Sequence, residues 1–441
     1  MKTIILYCLL IFVITPSGLF AQKKGERVIV TTRKTDMKVD ETVLKTLSEG
    51  YEVIIKDING PWYWVDHKGT VGWVHSESTK TVDQAIDFYT GQIANNPSSN
   101  NYRYRGDAYR LKKNYKSALS DFNAAIRLNP NSANAFESRS KIYNKTGKKA
   151  NAFADLNMAI KLDPNSANRY NNRAVILAGN SKYAEAIQDY SSAISLNPNK
   201  GIYYNNRGLS YKKSKQYDLA IKDFTTAIRL VPTYADAYTN RGNTYNSLKK
   251  FEAAINDFEK SLKIDPKDSS TNYKAGLSYQ NINQFQQAIQ KYNIAIKSNP
   301  KYRFAYRARG ICYRKLGNYS KALQDFDKAI QLSPKYTSAY RSRAWLKTTA
   351  SDPNYIDLKK AKEDLKQAES LSSKKSWRQY SSLAALYAAE GNFDKAIAAG
   401  KKCLELQKAY PDLRKELIQD SEARLKLYQQ NKPYREIPQN N

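Results

Sequence analysis

Small, aromatic and proline residues recur at a fixed spacing of 34 residues through most of the chain. A period of that length indicates a stack of equivalent helix–turn–helix units, because each unit buries its apolar face only against its neighbours. Stacks of this kind present long surfaces to partners and seldom carry chemistry. The clearest marker of the period is a proline that ends each second helix: Pro130, Pro164, Pro198, Pro232, Pro266, Pro300 and Pro334.

Other positions of the unit keep the same period. Alanines or serines stand at two fixed places in the second helices, and small residues at one place in the first helices allow close helix packing. The small positions of the first helices are Gly106, Ser140, Ala174, Gly208, Gly242, Gly276, Gly310 and Ala344. With the tyrosines between them, these residues resemble the tetratricopeptide repeat over residues 99–345. The resemblance implies a mainly α fold, a right-handed α-solenoid of eight to nine repeats.

The repeat pattern also divides the chain. Residues 99–375 form eight repeats, the eighth with five extra residues around Asp352–Pro353, and residues 376–410 form a divergent ninth. The amphipathic residues 412–431 predict a helix that caps the apolar end of the stack. Residues 432–441 are polar and contain prolines, and they predict a loose tail.

The first residues have a different character. A lysine followed by a short apolar run predicts a signal peptide over residues 1–21, and therefore export to the periplasm or the extracellular space. An uncleaved membrane anchor is the alternative. No later segment is long and apolar enough to cross a bilayer.

Residues 23–78 change from helical to alternating periodicity. Short β-type runs with turns between them, and an ending Gly72-Trp73-Val74, resemble a bacterial SH3-like domain, which implies a small all-β barrel. Residues 31–36 stand where that family has a loop beside its ligand cleft, and they depart from its usual sequence. Residues 81–97 match the second helix of a repeat, so we expect a linking helix on which the β domain docks.

Composition limits the chemistry. The formal net charge is +31, and residues 23–80 hold almost none of it, which leaves +29 on residues 81–441. Such a surface attracts polyanions, an acidic protein above all, and nucleic acid is the weaker expectation because no recognition motif is present. The only histidines are His67 and His75, and beyond residue 21 the only cysteines are Cys312 and Cys403, which we expect to be free core thiols. We therefore expect no cofactor, no metal site and no catalytic site.

A charged pair recurs inside the repeats. An arginine precedes the small residue of each first helix, and an aspartate follows 16 residues later; the sixth repeat has Ala275 and Lys291 and so lacks both. Because the sixth repeat lacks both residues together, we predict a structural salt bridge between the two helices of each repeat, rather than two independent solvated positions. The predicted pairs are Arg105–Asp121, Arg139–Asp155, Arg173–Asp189, Arg207–Asp223, Arg241–Asp257 and Arg309–Asp325.

The resemblance also implies where a partner binds. In this family the concave surface is formed by four positions of each first helix, and in eight repeats these hold seven basic residues against Asp107, Glu137 and Asp236. Asparagine can bond an extended backbone and arginine a carboxylate, which suits an acidic peptide; a merely solvated groove is the alternative. The predicted binding residues are Arg103, Arg110, Asn171, Asn205, Lys212, Asn243, Asn246, Gln280, Arg307, Arg314 and Arg341.

Two functional hypotheses follow from the sequence. The first is an exported, non-enzymatic scaffold that binds a protein or peptide partner in the bacterial envelope through the repeats. The second is a cell-wall module, in which the SH3-like domain binds peptidoglycan and the repeats act as a spacer.

Overall fold

A computed structural model describes residues 23–40, 42–67, 69–372, 376–410 and 415–439. The predicted signal peptide, and the first residues of the predicted capping helix, lie outside these ranges. The chain divides into two compact units, a first that ends at Pro198 and a second that begins at Asn199.

The first unit begins with one antiparallel sheet of seven strands in the order β3-β2-β6-β5-β4-β1-β7. Its inward side chains come from alternate positions, and Val28, Val30, Met37, Leu47 and Val53 are fully buried together. The predicted all-β region is therefore confirmed. The strands are β1 (Arg27–Val30), β2 (Lys34–Val39), β3 (Thr42–Ser48), β4 (Glu52–Asn59), β5 (Trp62–His67), β6 (Thr70–His75) and β7 (Thr79–Thr81).

The loop predicted for residues 31–36 is wrong in its second half, because β2 begins at Lys34. Thr35 and Met37 point into the core, while Lys34 and Asp36 face outward. This alternation is hard to recognise in the sequence because three of the four side chains are polar. The SH3-like identity of the sheet stays a prediction.

Twenty α-helices follow in the part of the chain that the structure describes. In the first unit they are α1 (Val82–Asn95), α2 (Ser99–Leu111), α3 (Tyr115–Leu128), α4 (Ala133–Lys145), α5 (Lys149–Leu162), α6 (Ala167–Gly179) and α7 (Tyr183–Leu196). In the second unit they are α8 (Gly201–Lys213), α9 (Tyr217–Leu230), α10 (Ala235–Ser247), α11 (Phe251–Ile264), α12 (Ser269–Asn281), α13 (Phe285–Ser298), α14 (Arg303–Lys315), α15 (Tyr319–Leu332), α16 (Thr337–Thr349), α17 (Leu358–Ser370), α18 (Trp377–Ala389), α19 (Phe393–Lys408) and α20 (Lys415–Gln429).

Each repeat is a pair of adjacent helices, from α2 with α3 to α18 with α19. Small residues let the pair approach closely: a side chain at Gly208 would lie 2.8 Å from the ring of Phe224, which is fully buried. The turns between paired helices are short and pass through the left-handed region, at Lys215 and Lys249 for example. The predicted mainly α fold of stacked helix pairs is thus confirmed.

The longer connection that holds the five extra residues of the eighth repeat includes a short 3₁₀ helix, Pro353–Tyr355, between α16 and α17. The ring of Tyr355 packs on Tyr319 of the preceding repeat, with centroids 5.3 Å apart. The insertion therefore adds a contact to the stack and leaves the helix pair intact.

The sheet packs directly on the first helices, as the sequence predicted. Ile29 of β1 is buried in one cluster with Ala85 and Tyr89 of α1 and Ala108 of α2. Gly50, in the turn before β4, lies against the ring of Tyr104 on α2. The β region and the first repeat therefore share a core.

Replacing Gly50 by alanine tests this junction. The residue has φ of +81°, and an added Cβ would lie 2.3 Å from two carbons of the Tyr104 ring. We expect the change to lower the free energy of unfolding by about 2 kcal/mol, because it combines a left-handed backbone with an overfilled contact. Urea denaturation followed by circular dichroism measures it.

Gly60→Ala is the matched control. Gly60 also has positive φ, but nothing lies within 4 Å of its added Cβ. It should cost about 1 kcal/mol, the backbone contribution alone. Equal losses for the two variants would mean that the contact with Tyr104 contributes nothing.

The C-terminal tail was predicted to be loose, and this is wrong. Glu436 is 4% exposed, and its backbone N–H donates to the carbonyl of Thr349 at 2.7 Å. Its carboxylate pairs with Arg314 and Lys315, so the tail lies along the ends of α14 and α16. A polar segment with a proline carries no periodic signal from which such docking could be predicted.

Candidate partner-binding surface

The arginine and aspartate of each intact repeat form a bidentate salt bridge. Nε and Nη2 of the arginine donate to the two carboxylate oxygens of the aspartate at 2.6–2.9 Å. The aspartates are almost fully buried, Asp257 at 1% exposure. Seven pairs have this geometry: Arg105–Asp121, Arg139–Asp155, Arg173–Asp189, Arg207–Asp223, Arg241–Asp257, Arg309–Asp325 and Arg343–Asp364.

Several of these arginines also bond a side chain of the preceding repeat, a contact that was not predicted from the sequence. Nη1 of Arg139 donates to the side chain of Asn123 at 2.7 Å, and Nη1 of Arg241 to Thr225 at 2.8 Å. The acceptor stands two residues after the aspartate of the preceding repeat. Each of these guanidinium groups therefore ties three helices together.

The sixth repeat replaces this arrangement with a different pair. Lys291 stands at the aspartate position and pairs at 2.7 Å with Glu259, which stands at the acceptor position of the fifth repeat. Tyr279 donates to the same carboxylate at 3.1 Å. The link to the preceding repeat is thus kept although the arginine is absent.

The predicted binding residues of the first unit are engaged within the chain. Arg103 and Arg110 both donate to Asp107, at 3.4 and 3.2 Å. Asn171 donates to the neighbouring Asn172 at 3.4 Å. The inward-facing positive charges of the first repeat are therefore largely compensated.

Compensation extends to the second and third repeats. Glu137 accepts from Lys141 at 2.9 Å and from Arg169 at 3.2 Å. Arg169 is 4% exposed and also pairs with Asp163. Charges on this face of the first unit thus balance one another.

In the second unit, the predicted amides link successive first helices. Asn205 accepts from Asn240 at 2.9 Å, and Asn246 accepts from Ser278 at 2.9 Å. Gln280 accepts from the hydroxyl of Tyr292 within its own repeat. These bonds fix the inward amides in place.

Asn243 and Lys212 complete the predicted set in the middle of the second unit. Asn243 is half-buried on α10. Burial, followed by the charge of the nearby Lys274, lowers the pKa of Lys212 to about 8. Burial lowers the pKa of Lys274 as well. A negative charge brought to this place would raise the pKa of both lysines.

Two of the remaining predicted arginines converge near the C-terminal end. Arg307 and Arg341 line a cleft of about 540 Å³ together with Arg378, Arg424 and two tryptophans, Trp345 and Trp377. Of the described residues that line it, none is an aspartate or glutamate. We call this the arginine cleft. Arg314 also lines it, but its charge is taken up by Glu436 of the tail.

Sequence reasoning missed two members of this cleft. Arg378 stands near the start of α18, at an inward position of the ninth repeat, and counting inward positions beyond the eighth repeat would have found it. Arg424 lies on α20 and contacts Trp345 of α16. No periodic pattern in the sequence predicts that α20 packs there.

Cys312 and Cys403 are free and buried, as predicted, and burial raises the pKa of the Cys312 thiol to about 12. The described side chains include no group of three His, Cys, Asp or Glu arranged to hold a metal ion. Among the helices of the described segments, none is both long enough and apolar enough to span a membrane.

Comparison with solved structures finds similar folds at low identity. A tetratricopeptide repeat protein from Parabacteroides merdae is 18% identical, with a TM-score of 0.40 over 68% of this chain and 99% of that one. The C-terminal part of a TPR repeat-containing protein from Cytophaga hutchinsonii is 20% identical, with a TM-score of 0.42 over 64% and 97%. YrrB, described as a TPR protein with an unusual peptide-binding site, is 22% identical, with a TM-score of 0.38 over 43% and 97%.

Family models give the assignment. No curated protein matches the chain. Models described as tetratricopeptide repeat match eight segments, which together make up more than half of the sequence: residues 99–132, 133–166, 167–200, 202–234, 235–268, 271–302, 304–336 and 380–410. The chain belongs to the tetratricopeptide repeat family.

Proposed function

We propose that this protein is a non-enzymatic scaffold that binds an acidic segment of a protein partner through the inward-facing side of its second unit. The observation that carries the proposal is a difference in charge compensation between the repeats. Arg103 and Arg110 in the first repeat share Asp107, whereas Arg307 and Arg341 in the second unit meet no described carboxylate in their cleft. Uncompensated guanidinium groups held on one face favour a negatively charged ligand.

Neutral inward side chains suit the same kind of ligand. Asn243 and Asn246 lie on α10 and Gln280 on α12, at positions that the family resemblance assigns to the inward side. Amides both donate to and accept from an extended backbone. The +29 formal charge of residues 81–441 adds a long-range attraction for an acidic partner. We also propose, from the predicted signal peptide, that the partner is met outside the cytoplasm.

Binding of a labelled oligoglutamate peptide to the full chain tests the proposal. We expect oligoglutamate to bind and oligolysine not to bind, and we expect the affinity to fall several-fold between 50 and 150 mM salt because exposed ion pairs are screened. Fluorescence anisotropy measures both. Equal binding of the two peptides, or binding of neither, would contradict the proposal.

Crosslinking in the native cell would then identify the partner. A photoreactive residue at Asn243 probes the inward side, and one at Lys222, exposed on the second helix of its repeat, serves as the control. The partner should be acidic and should crosslink from position 243 only. Crosslinking from position 222 alone would place the interaction on the other side of the repeats.

A further inference from the structure

The arginine cleft brings together positive charges from four elements. Arg307 lies on α14, Arg341 on α16, Arg378 on α18 and Arg424 on α20. None of these four forms a salt bridge with a described carboxylate. Like charges repel, so holding four of them in one cleft costs free energy that a ligand of opposite charge can recover.

Burial and the neighbouring positive charges lower the pKa of two of these arginines. Burial, and then the charges of Arg307 and Arg378, lower the pKa of Arg341. Burial, and then Arg307, lower the pKa of Arg378. The arginines of the seven arginine–aspartate pairs, which together we call the ladder, show the opposite shift: hydrogen bonding to Asp257 raises the pKa of Arg241.

Neutral groups hold these guanidinium groups in place. Nε of Arg307 donates to the backbone carbonyl of Ser338 and to the hydroxyl oxygen of Ser342, both at 3.0 Å. Nη1 of Arg341 donates to the hydroxyl of Ser376 at 3.3 Å. These bonds position the side chains without neutralising their charge, and they leave further N–H donors for a ligand.

Aromatic rings support the other two cations. The guanidinium of Arg378 lies 4.2 Å from the ring centroid of Trp377, and that of Arg424 lies 5.3 Å from Trp345. Stacking of this kind orients a guanidinium and reduces the rotational freedom that binding would otherwise remove. The cleft is therefore largely preformed.

The tail provides a comparison within the same unit. There a single carboxylate, that of Glu436, pairs with two cations, Arg314 and Lys315, while the backbone beside it is extended and bonded to Thr349. One carboxylate thus pairs with two cations beside the arginine cleft. Four cations in the arginine cleft call for at least two negative charges.

We propose that the arginine cleft is the binding site for a dianionic group on an extended peptide segment, either two adjacent carboxylates or one phosphate ester. This rests on the proposed function and specifies the ligand class of that surface. Both groups offer several oxygen acceptors at a charge of about −2, as the guanidinium donors require. The volume of about 540 Å³ lies in the ordinary range for ligand pockets.

Three labelled nonapeptides distinguish adjacent carboxylates from a phosphate ester. They differ only at the centre, which holds Glu-Glu, a single phosphoserine or Gln-Gln. Each is titrated into the full-length chain and into Arg341→Gln/Arg378→Gln, with pyrophosphate as a fourth ligand. We expect the double variant to weaken the Glu-Glu or phosphoserine peptide at least about tenfold, since charge-assisted hydrogen bonds are lost. Whichever of these two peptides binds with the higher affinity identifies the natural group.

Lys222→Gln/Arg229→Gln is the matched control. It removes the same number of positive charges from exposed positions on α9 and should change affinity less than about twofold. Neither pair of changes touches an arginine of the ladder, and circular dichroism checks that both variants keep their helices.

The outcomes separate this inference from the proposed function. Acidic peptides that bind both variants as tightly as the unchanged chain would overturn the inference while leaving the scaffold proposal standing. Pyrophosphate binding that depends on Arg341 and Arg378, without any peptide binding, would support the site and contradict the peptide partner. Binding of none of these ligands would overturn both.

Discussion

Replacing Asp257 by alanine should lower the free energy of unfolding by about 3 kcal/mol, because the change leaves the buried side of Arg241 without its carboxylate. Asp257 is 1% exposed and accepts two bonds from Arg241, at 2.7 and 2.8 Å. The loss can be measured by urea denaturation or by hydrogen exchange of α10 and α11.

Two further variants control for other causes. Glu252→Ala removes an exposed carboxylate from the same helix and should cost no more than about 0.5 kcal/mol. Arg241→Ala combined with Asp257→Ala should recover part of the loss, because no lone charge then stays buried. A single variant as stable as the unchanged chain would show that the bridge contributes nothing to stability.

Replacing Glu436 by glutamine should release the C-terminal tail. The change removes the negative charge that pairs with both Arg314 and Lys315, and breaking a buried pair costs about 3 kcal/mol. We expect faster hydrogen exchange over residues 433–439 and faster tryptic cleavage after Arg435. The freed cations should also tighten binding of the acidic peptides.

Glu422→Gln is the control for this experiment, since Glu422 is an exposed residue of the neighbouring helix α20. It changes the net charge equally and should leave the protection of the tail unaltered. If both variants exchange at the same rate as the unchanged chain, the docking of the tail does not depend on its carboxylate.

The docked tail also changes how the sequence-based site should be tested. A joint replacement of Arg307, Arg314 and Arg341 follows from the sequence alone. In the structure Arg314 is bound to Glu436, so its replacement would disturb the tail as well as the surface. Arg341 and Arg378 test the cleft without that complication.

Periodicity explains what could be predicted. The helix pairs and the pairing of Arg207 with Asp223 follow from residues that recur at fixed places, and one sequence holds many copies of that signal. The bond from Arg139 to Asn123 was missed because its acceptor varies in kind from repeat to repeat. The tail and Arg424 were missed because each occurs once, and their positions are set by tertiary packing that no repeat encodes.

The bond from Arg241 into the preceding repeat has a consequence for how the second unit unfolds. Because Arg241 bonds both Asp257 and Thr225, unfolding the fourth repeat removes a contact from the fifth. In a linear array such contacts act as nearest-neighbour coupling, and stronger coupling makes a larger stretch melt as one cooperative block. Between the fifth and sixth repeats the coupling instead depends on the salt bridge between Lys291 and Glu259. Salt and acid weaken such a pair more readily than a bidentate arginine–aspartate pair. Partial unfolding of the second unit should therefore begin or stop at that boundary.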